Sequence, residues 1–178
     1  DSEFTDSNLK SKNDFFHFEK KEQLSRENLE TIAPRFIFFP HWNWLIDEEI
    51  YKNFECIVFH TAPLPYGRGG SPIQNLIIRG FNKAPVCSLR VDGTIDGGPI
   101  YLADNVSLRG TLSQIFNRIN NIINKQITEI IHNEIIPKEQ KGEVATFKRL
   151  KALDNKIPSN LNLNEFYDRV RMLDHPEY

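Results

Sequence analysis

The sequence has few cysteines and no long apolar run. Its two cysteines, Cys56 and Cys87, cannot build a disulfide framework, and both stand in apolar stretches where a free thiol packs like a small hydrophobic side chain. No run approaches the ~18 apolar residues of a membrane-spanning helix. No signal peptide is recognisable. We therefore expect a cytoplasmic protein that makes no membrane contact.

Several common ligand-binding motifs are also missing. The chain has no Walker phosphate-binding loop, no closely spaced cysteine pair and no HExxH sequence, so we expect neither a nucleoside triphosphate site nor a metal site. The 22 Lys and Arg residues against 24 Asp and Glu residues give a net charge of −2. Because nucleic-acid-binding proteins commonly show a basic face, this charge argues against a nucleic-acid partner.

The composition is that of an ordinary globular domain. Hydrophobic residues make up 39% and charged residues 26% of the 178 positions, and a chain of this length can bury a core without disulfides. Residues 1–14 are polar and lack methionine, which indicates a solvated lead-in or a truncated front. The sequence becomes polar again after Pro137. This change predicts a small C-terminal subdomain over 138–178 and a main domain over 15–137.

Strand and helix patterns alternate through the middle of the chain. Continuous apolar runs at 35–40, 56–59 and 84–91 predict buried strands. A capping-box sequence at Thr111 precedes a stripe of apolar residues at spacings of three and four, which predicts one long helix over 112–136. The alternation predicts an α/β fold with a mostly parallel sheet.

Two polar segments follow strand-like runs, where such folds place their ligands. His60 stands directly after the second run, and a glycine-rich turn, 92–98, follows the third. Between them lies an irregular loop, 61–70. Ser71 and Pro72 then form a helix-start signal. We therefore expect the chemistry of the protein near His60 and this turn.

The segment 60–73 (HTAPLPYGRGGSPI) resembles the formyltransferase signature HPSLLPxYRGAxPI. The matches, in register and without gaps, are His60, Leu64, Pro65, Arg68, Gly69, Pro72 and Ile73. The segment 95–100 (IDGGPI) resembles the second signature of the same family. Over 35–136 the chain therefore resembles the folate-dependent formyltransferases, which are similar to methionyl-tRNA formyltransferase and move a formyl group from 10-formyltetrahydrofolate to an amine. The resemblance implies a Rossmann-like formyltransferase fold with a small C-terminal appendage.

The resemblance also implies residue roles. The attacking amine must lose a proton and the formyl oxygen must be held as it becomes negative, so His60 would be the catalytic histidine and Asp96 its carboxylate partner. The family places an asparagine that helps to hold this oxygen two residues before the histidine, where this chain has Val58. Losing one such donor typically costs about 10²–10³ in rate. Asn43 or a backbone N–H of the 61–70 loop is a candidate replacement.

The folate pocket of the family corresponds here to two segments. They contain the cofactor-binding candidates Trp42, Trp44, Leu45, Ile46, Asp92, Gly93 and Thr94. Ordinary core packing is the alternative role for the aromatic members. Arg68, Gly69 and Arg149 are the candidates for binding the acceptor substrate, with loop anchoring as the alternative role for Arg68. His41 has a structural rather than a catalytic role in this interpretation.

Three short segments are similar to sugar-nucleotide N-formyltransferases: 39–42 (FPHW), 147–149 (FKR) and 167–174 (YDRVRMLD). They imply an amino sugar linked to a nucleotide as the acceptor. Two alternatives stay open, namely methionyl-tRNA as the acceptor, and a catalytically silent domain that binds a ligand or partner, which Val58 favours. We find no first strand before residue 15, so if the chain is complete, an added strand or a homodimer would have to cover the sheet edge.

Overall fold

A computed structural model describes residues 14–174, so residues 1–13 of the expected lead-in and the last four residues of the expected subdomain lie outside it. Six strands form in the described part. They are β1 (Ile37–Phe39), β2 (Cys56–Thr61), β3 (Tyr66–Gly69), β4 (Lys83–Arg90), β5 (Ile100–Ser107) and β6 (Ala145–Phe147). The helices are α1 (Arg26–Ile32), α2 (Glu48–Tyr51), α3 (Pro72–Ile77), α4 (Leu112–His132) and α5 (Leu163–Arg171), with 3₁₀ turns at Lys21–Gln23 and Ala152–Asn155.

The predicted α/β class and its buried strands are confirmed. The main sheet has the order β1-β2-β4-β5, and a second, two-stranded sheet joins β3 to β6. β1 runs parallel to β2, and β3 runs parallel to β6, whereas β4 is antiparallel to both β2 and β5. The sheet was predicted to be mostly parallel. The parallel order holds for β1 and β2 and changes at β4, which makes the main sheet mixed.

The change of direction follows from the segment between β2 and β4. Residues 62–71 are used by a loop that contains β3, and the six residues of α3 advance the chain by only about 9 Å. Six strand residues span about 20 Å, so α3 is too short to carry the chain back along β2. β4 therefore starts near the carboxyl end of β2, with Thr61 opposite Val86.

The long helix α4 packs against one face of the sheet. Its capping box is formed as predicted, because Thr111 Oγ1 accepts from Gln114 N–H at 3.2 Å and Gln114 Oε1 accepts from Thr111 N–H at 3.1 Å. The helix ends at His132, before the predicted residue 136. Asn133 is extended there, and its side-chain amide donates to the Glu129 carbonyl. The apolar stripe of α4 is buried in the larger core cluster.

A second, smaller cluster covers the opposite face of the main sheet. Its buried members are Leu24, Leu29, Ile37, Phe39, Ile50 and Cys56. Trp42, Tyr51 and Val58 pack against it, half-buried. Side chains alternate between the two faces along each strand, so Val58 and His60 point to the same face of β2. This face carries the candidate site.

The polar segment after residue 137 returns to the body of the molecule. The backbone of Lys138 exchanges two hydrogen bonds with that of Ile100, and β6 pairs with β3. Near the end of α5, Met172 is buried in the larger core cluster, and Arg171 donates to the carbonyls of Leu108 and Gly110. The expected subdomain thus shares buried side chains with the main domain. Within residues 14–174, no helix has the length and apolarity to cross a membrane.

Candidate active site

His60 lies inside β2, one residue before its end, rather than just after the strand as predicted. The loop 62–70 folds back over this end, so that His60 Nε2 lies 2.8 Å from the carbonyl oxygen of Gly67. The loop can approach this closely because Gly67 has φ +94° and no side chain. A Cβ there would lie 2.8 Å from the ring of Phe147 and 2.9 Å from Ala62 Cβ. His60 is buried, at 7% exposure.

The structure brings His60 and Asp96 together. Asp96 stands in the turn after β4, and its Oδ2 lies 3.3 Å from His60 Nδ1. The same oxygen accepts from the backbone N–H of Gly69 at 2.8 Å, so the turn, β2 and β3 meet at one carboxylate atom. Gly69 needs its positive φ of +100° and its lack of a side chain, because a Cβ would lie 2.5 Å from a backbone oxygen of β6.

Both ring nitrogens of His60 face acceptors. The Gly67 carbonyl oxygen lies at Nε2 and a carboxylate oxygen lies at Nδ1, and the tautomer of the ring decides which nitrogen donates. A neutral imidazole with its proton on Nδ1 faces Asp96 with that proton and leaves Nε2 unprotonated beside the Gly67 carbonyl. In this tautomer Nε2 can receive a proton from a substrate once its contact with the Gly67 carbonyl opens.

Arg68 is fixed by a residue that the sequence did not single out. The Oε1 of Gln140 accepts from Arg68 Nε at 3.1 Å and from Nη2 at 2.7 Å. The Nε2 of Gln140 donates to the carbonyls of Asp96, at 2.8 Å, and Gly98, at 2.9 Å. No carboxylate in residues 14–174 lies within ion-pair distance of Arg68. The only sequence signal for Gln140 was its place in the polar stretch after Pro137, which does not distinguish it from its neighbours.

The aromatic candidates divide between core and surface. Trp42 packs at 5.3 Å from the Phe39 ring and 4.9 Å from the Trp44 ring, measured between centroids. Its buried Nε1 has no hydrogen-bond partner among the described residues. Ile46 is half-buried, whereas Trp44 is 55% and Leu45 75% exposed. Core packing thus accounts for Trp42 and Ile46, and it leaves the other two apolar side chains facing solvent.

The predicted turn residues lie over the same core cluster as this aromatic loop. Asp92 Oδ1 accepts from Thr94 N–H at 2.8 Å, which closes the turn. Gly93, with φ +90°, lies so close to Tyr51 that a Cβ would come within 2.6 Å of the phenol oxygen. Tyr51 packs on the same cluster as Trp42, so the 42–46 and 92–95 segments share one support. Ile95 is 63% exposed beside them in sequence.

The remaining candidates are near the surface. Asn43 is exposed and makes no hydrogen bond within the described part of the chain. Arg149 is exposed, and its backbone lies against Gly70, at the end of the Arg68 loop. His41 hydrogen-bonds the side chain of Asn120 on α4, which agrees with the structural role expected for it.

The cysteines lie in the sheet as expected. Cys87 is paired with His60 across β2 and β4, and its thiol donates to the Ala62 carbonyl at 3.5 Å. Burial raises the pKa of the Cys56 and Cys87 thiols to about 12. Neither thiol is therefore a ready nucleophile at neutral pH. In the described ranges there is also no group of three side chains that could hold a metal ion.

Comparisons with known proteins extend the likeness seen in the motifs. A solved structure of methionyl-tRNA formyltransferase from Clostridium thermocellum is 42% identical, with a TM-score of 0.86 over 89% of this chain and 70% of that chain. The methionyl-tRNA formyltransferase of Rickettsia massiliae is 32% identical over 100 residues, which are 54% of this chain and 33% of the relative. A 4-N formyltransferase from Francisella tularensis, 19% identical with a TM-score of 0.65 over 87% of this chain and 69% of that chain, shares the fold.

The coverage of the relatives is partial. The chain spans 33% of the length of the Rickettsia massiliae protein and 50–52% of the Campylobacter jejuni methionyl-tRNA formyltransferases that it matches. No protein-family model matches the chain.

Proposed function

Because the chain belongs to the folate-dependent formyltransferase family, we propose that it transfers a formyl group from 10-formyltetrahydrofolate to a primary amine. The observation that carries the proposal is the contact of 3.3 Å between His60 and Asp96, with Gly69 N–H holding the same carboxylate oxygen. A histidine oriented by a buried carboxylate is a common arrangement for proton transfer.

The residues of this chain would act on the acceptor amine. As the amine nitrogen bonds to the formyl carbon, it must lose one proton, and the folate nitrogen that leaves must gain one. His60 Nε2 would take the first proton after its contact with Gly67 opens, and it would return the proton to the leaving nitrogen. Asp96 would hold the ring through Nδ1 and would face the positive charge that forms on the imidazole as it takes the proton.

In this mechanism, a hydrogen-bond donor outside position 58 must hold the formyl oxygen. Val58 packs on the smaller core cluster and has no hydrogen to donate. In the 62–70 loop, the N–H groups of Leu64, Tyr66, Gly69 and Gly70 already donate to other acceptors. Asn43 has an exposed amide that makes no hydrogen bond in the described residues, so it is our preferred candidate.

For the donor cofactor, we propose the surface formed by the 42–46 and 92–95 segments. Trp44, Leu45 and Ile95 are large apolar side chains left exposed by the 42–46 and 92–95 segments, and such exposed groups commonly mark ligand surfaces. The ring of Trp42 contacts Trp44, and its buried indole N–H has no hydrogen-bond partner among the described residues, so it would serve a polar ring edge that reaches it. These residues, with Ile46 and the Asp92–Gly93–Thr94 turn, would hold the folate, which supplies the activated formyl group when bound.

For the acceptor, we propose an amino sugar linked to a nucleotide. The likeness of three short segments to sugar-nucleotide enzymes supports this choice, and so does the net charge of −2, which does not favour binding a large nucleic acid. Arg68 and Arg149, on adjoining backbone segments, would face the phosphates.

Methionyl-tRNA is the second candidate acceptor. It is favoured by the 42% identity to the methionyl-tRNA formyltransferase of Clostridium thermocellum. A silent domain that binds folate without turnover is the third candidate, and the missing donor at Val58 favours it.

One assay separates these candidates. The purified chain is incubated with 10-formyltetrahydrofolate and, in separate reactions, with dTDP- and UDP-linked 4-amino sugars and with methionyl-tRNA, and products are weighed by mass spectrometry. We expect a mass gain of one formyl group on a nucleotide sugar, and its abolition in His60→Ala but not in His132→Ala, which changes an exposed histidine. Formylation of the tRNA alone would establish the second candidate. Folate binding without any product would establish the silent domain.

A further inference from the structure

The carboxamide of Gln140 joins the two segments that surround His60. Its Oε1 accepts hydrogen bonds from Arg68, a candidate for binding the acceptor substrate, and its Nε2 donates to the backbone of the turn that carries Asp96. Gln140 itself is half-buried and belongs to the segment that follows Pro137. A residue 44 positions away along the chain thus fixes the backbone of the candidate catalytic carboxylate.

Glutamine uses its full hydrogen-bonding capacity in this place. The two N–H groups of its amide serve two carbonyls, and its oxygen takes two N–H groups from one edge of a guanidinium. Glutamate would set a second oxygen against the Asp96 and Gly98 carbonyls. An apolar residue would leave the carbonyls and the guanidinium unpaired.

The amide also orients Arg68 without cancelling its charge. Arg68 is half-buried and meets no carboxylate among the described residues, and its Nη1 has no protein hydrogen-bond partner there. A guanidinium held on one edge by a neutral group keeps its other donors for an anion, and phosphate fits this planar group well.

We propose that Gln140 is a positioning residue for the formyl transfer, holding Arg68 ready for a phosphate of the acceptor and holding the Asp96 turn against His60. The inference rests on the proposed function, and it predicts two separable defects. Loss of the amide oxygen weakens acceptor binding through Arg68. Loss of the amide N–H groups slows turnover through Asp96.

Steady-state kinetics on the whole chain tests the two defects, with whichever acceptor the wild type formylates. We expect Gln140→Ala to raise the acceptor KM and to lower kcat, each by about tenfold or more, with the folate KM changed less than about twofold. Gln140→Glu keeps a hydrogen-bond acceptor for Arg68 but sets a negative charge against the guanidinium, so the acceptor KM should stay raised, and kcat should stay low because the amide N–H groups are lost. Glu139→Ala, at the exposed neighbouring position, should change neither constant.

A double-mutant cycle excludes a merely structural role. In an Arg68→Ala background, Gln140→Ala should no longer affect the acceptor KM but should still lower kcat. The proposal would be overturned if Gln140→Ala left the acceptor KM unchanged, or if it raised the acceptor KM by the same factor with and without Arg68.

A wild type without turnover would refute the proposed function, and binding then decides on Gln140. Calorimetry with dTDP and UDP should show binding that Arg68→Ala and Gln140→Ala each weaken about tenfold or more, with Glu139→Ala as the control. Binding that is indifferent to Gln140, or no binding to the wild type, would overturn the inference as well.

Discussion

Asp96→Asn isolates the charge of the carboxylate that holds His60. Asparagine is nearly isosteric, so its side-chain oxygen can still accept from Gly69 N–H, as the carboxylate does at 2.8 Å. What disappears is the charged contact at 3.3 Å to His60 Nδ1. Both side chains are largely shielded from solvent, at 7% and 19% exposure, so salt and water screen this contact only weakly.

The magnitude follows from the kind of contact that is lost. A shielded carboxylate that faces the imidazolium formed during transfer should contribute about as much as a hydrogen bond to a charged group, about 1.5–3 kcal/mol, and about 1.4 kcal/mol changes a rate tenfold, so kcat should fall by roughly 10- to 150-fold. Thermal unfolding should change little, because the Gly69 contact remains. The assay is the formyl mass gain under single-turnover conditions, which excludes effects on product release.

Asp154→Asn is the matched control. Asp154 is also half-buried and accepts from a backbone N–H, that of Lys151, but it lies in a surface turn of the C-terminal segment. A control that slows as much as Asp96→Asn, or an Asp96→Asn protein with the wild-type single-turnover rate, would remove the carboxylate from the mechanism.

Three further predictions concern stability and reactivity. In urea titrations, Gly69→Ala should lower the free energy of unfolding by clearly more than Gly80→Ala. The Gly80 variant should lose only about 1–2 kcal/mol from the strain of its φ of +77°, because nothing lies within 4 Å of its Cβ position. Equal losses of unfolding free energy would show that the backbone oxygen near Gly69 moves freely. Cys56 and Cys87 should resist iodoacetamide at pH 8 until the chain is unfolded, since burial raises the pKa of each thiol to about 12; rapid labelling of the native protein would contradict their burial. Burial alone would raise the pKa of Glu55, but its hydrogen bonds from an arginine and a tyrosine outweigh burial and lower the pKa. The stability that Glu55 contributes is therefore present above its unfolded pKa near 4.5 and is lost as the pH falls through its lower folded pKa. Glu55→Gln should reduce the loss of folding stability at acid pH, and an unchanged pH dependence of stability would show that Glu55 does not contribute to it.

Local signals predicted most of the fold. The capping box at Thr111 and the apolar stripe that follows it gave α4 within four residues, because both depend on near neighbours in the chain. The end of the helix was missed because the Asn133 side-chain amide donates to the Glu129 carbonyl, and the apolar pattern carries no information about this hydrogen bond. The direction of β4 was missed because it depends on how the chain between β2 and β4 is used.

The candidate site was predicted in part. Two motifs identified His60 and Asp96, and the structure brings them into contact. Gln140 could not be found in this way, because its partners are 42 to 72 positions away and no local pattern marks it. Exposure likewise separated Trp42 from Trp44, which the sequence treats alike. Contacts between distant segments decide such questions, and a single sequence does not display them.

The antiparallel course of β4 places a length constraint on the protein. The last residue of β4, Arg90, is paired with Ile57, three strand positions before His60, so the chain must travel back about 10 Å over the sheet before Asp96 can reach the imidazole. The nine residues between β4 and β5 therefore set the distance between Asp96 and His60 as well as connecting the two strands. One residue inserted or deleted there would separate Asp96 from His60 while leaving both strands intact, so natural variation in this turn should favour substitutions over changes of length.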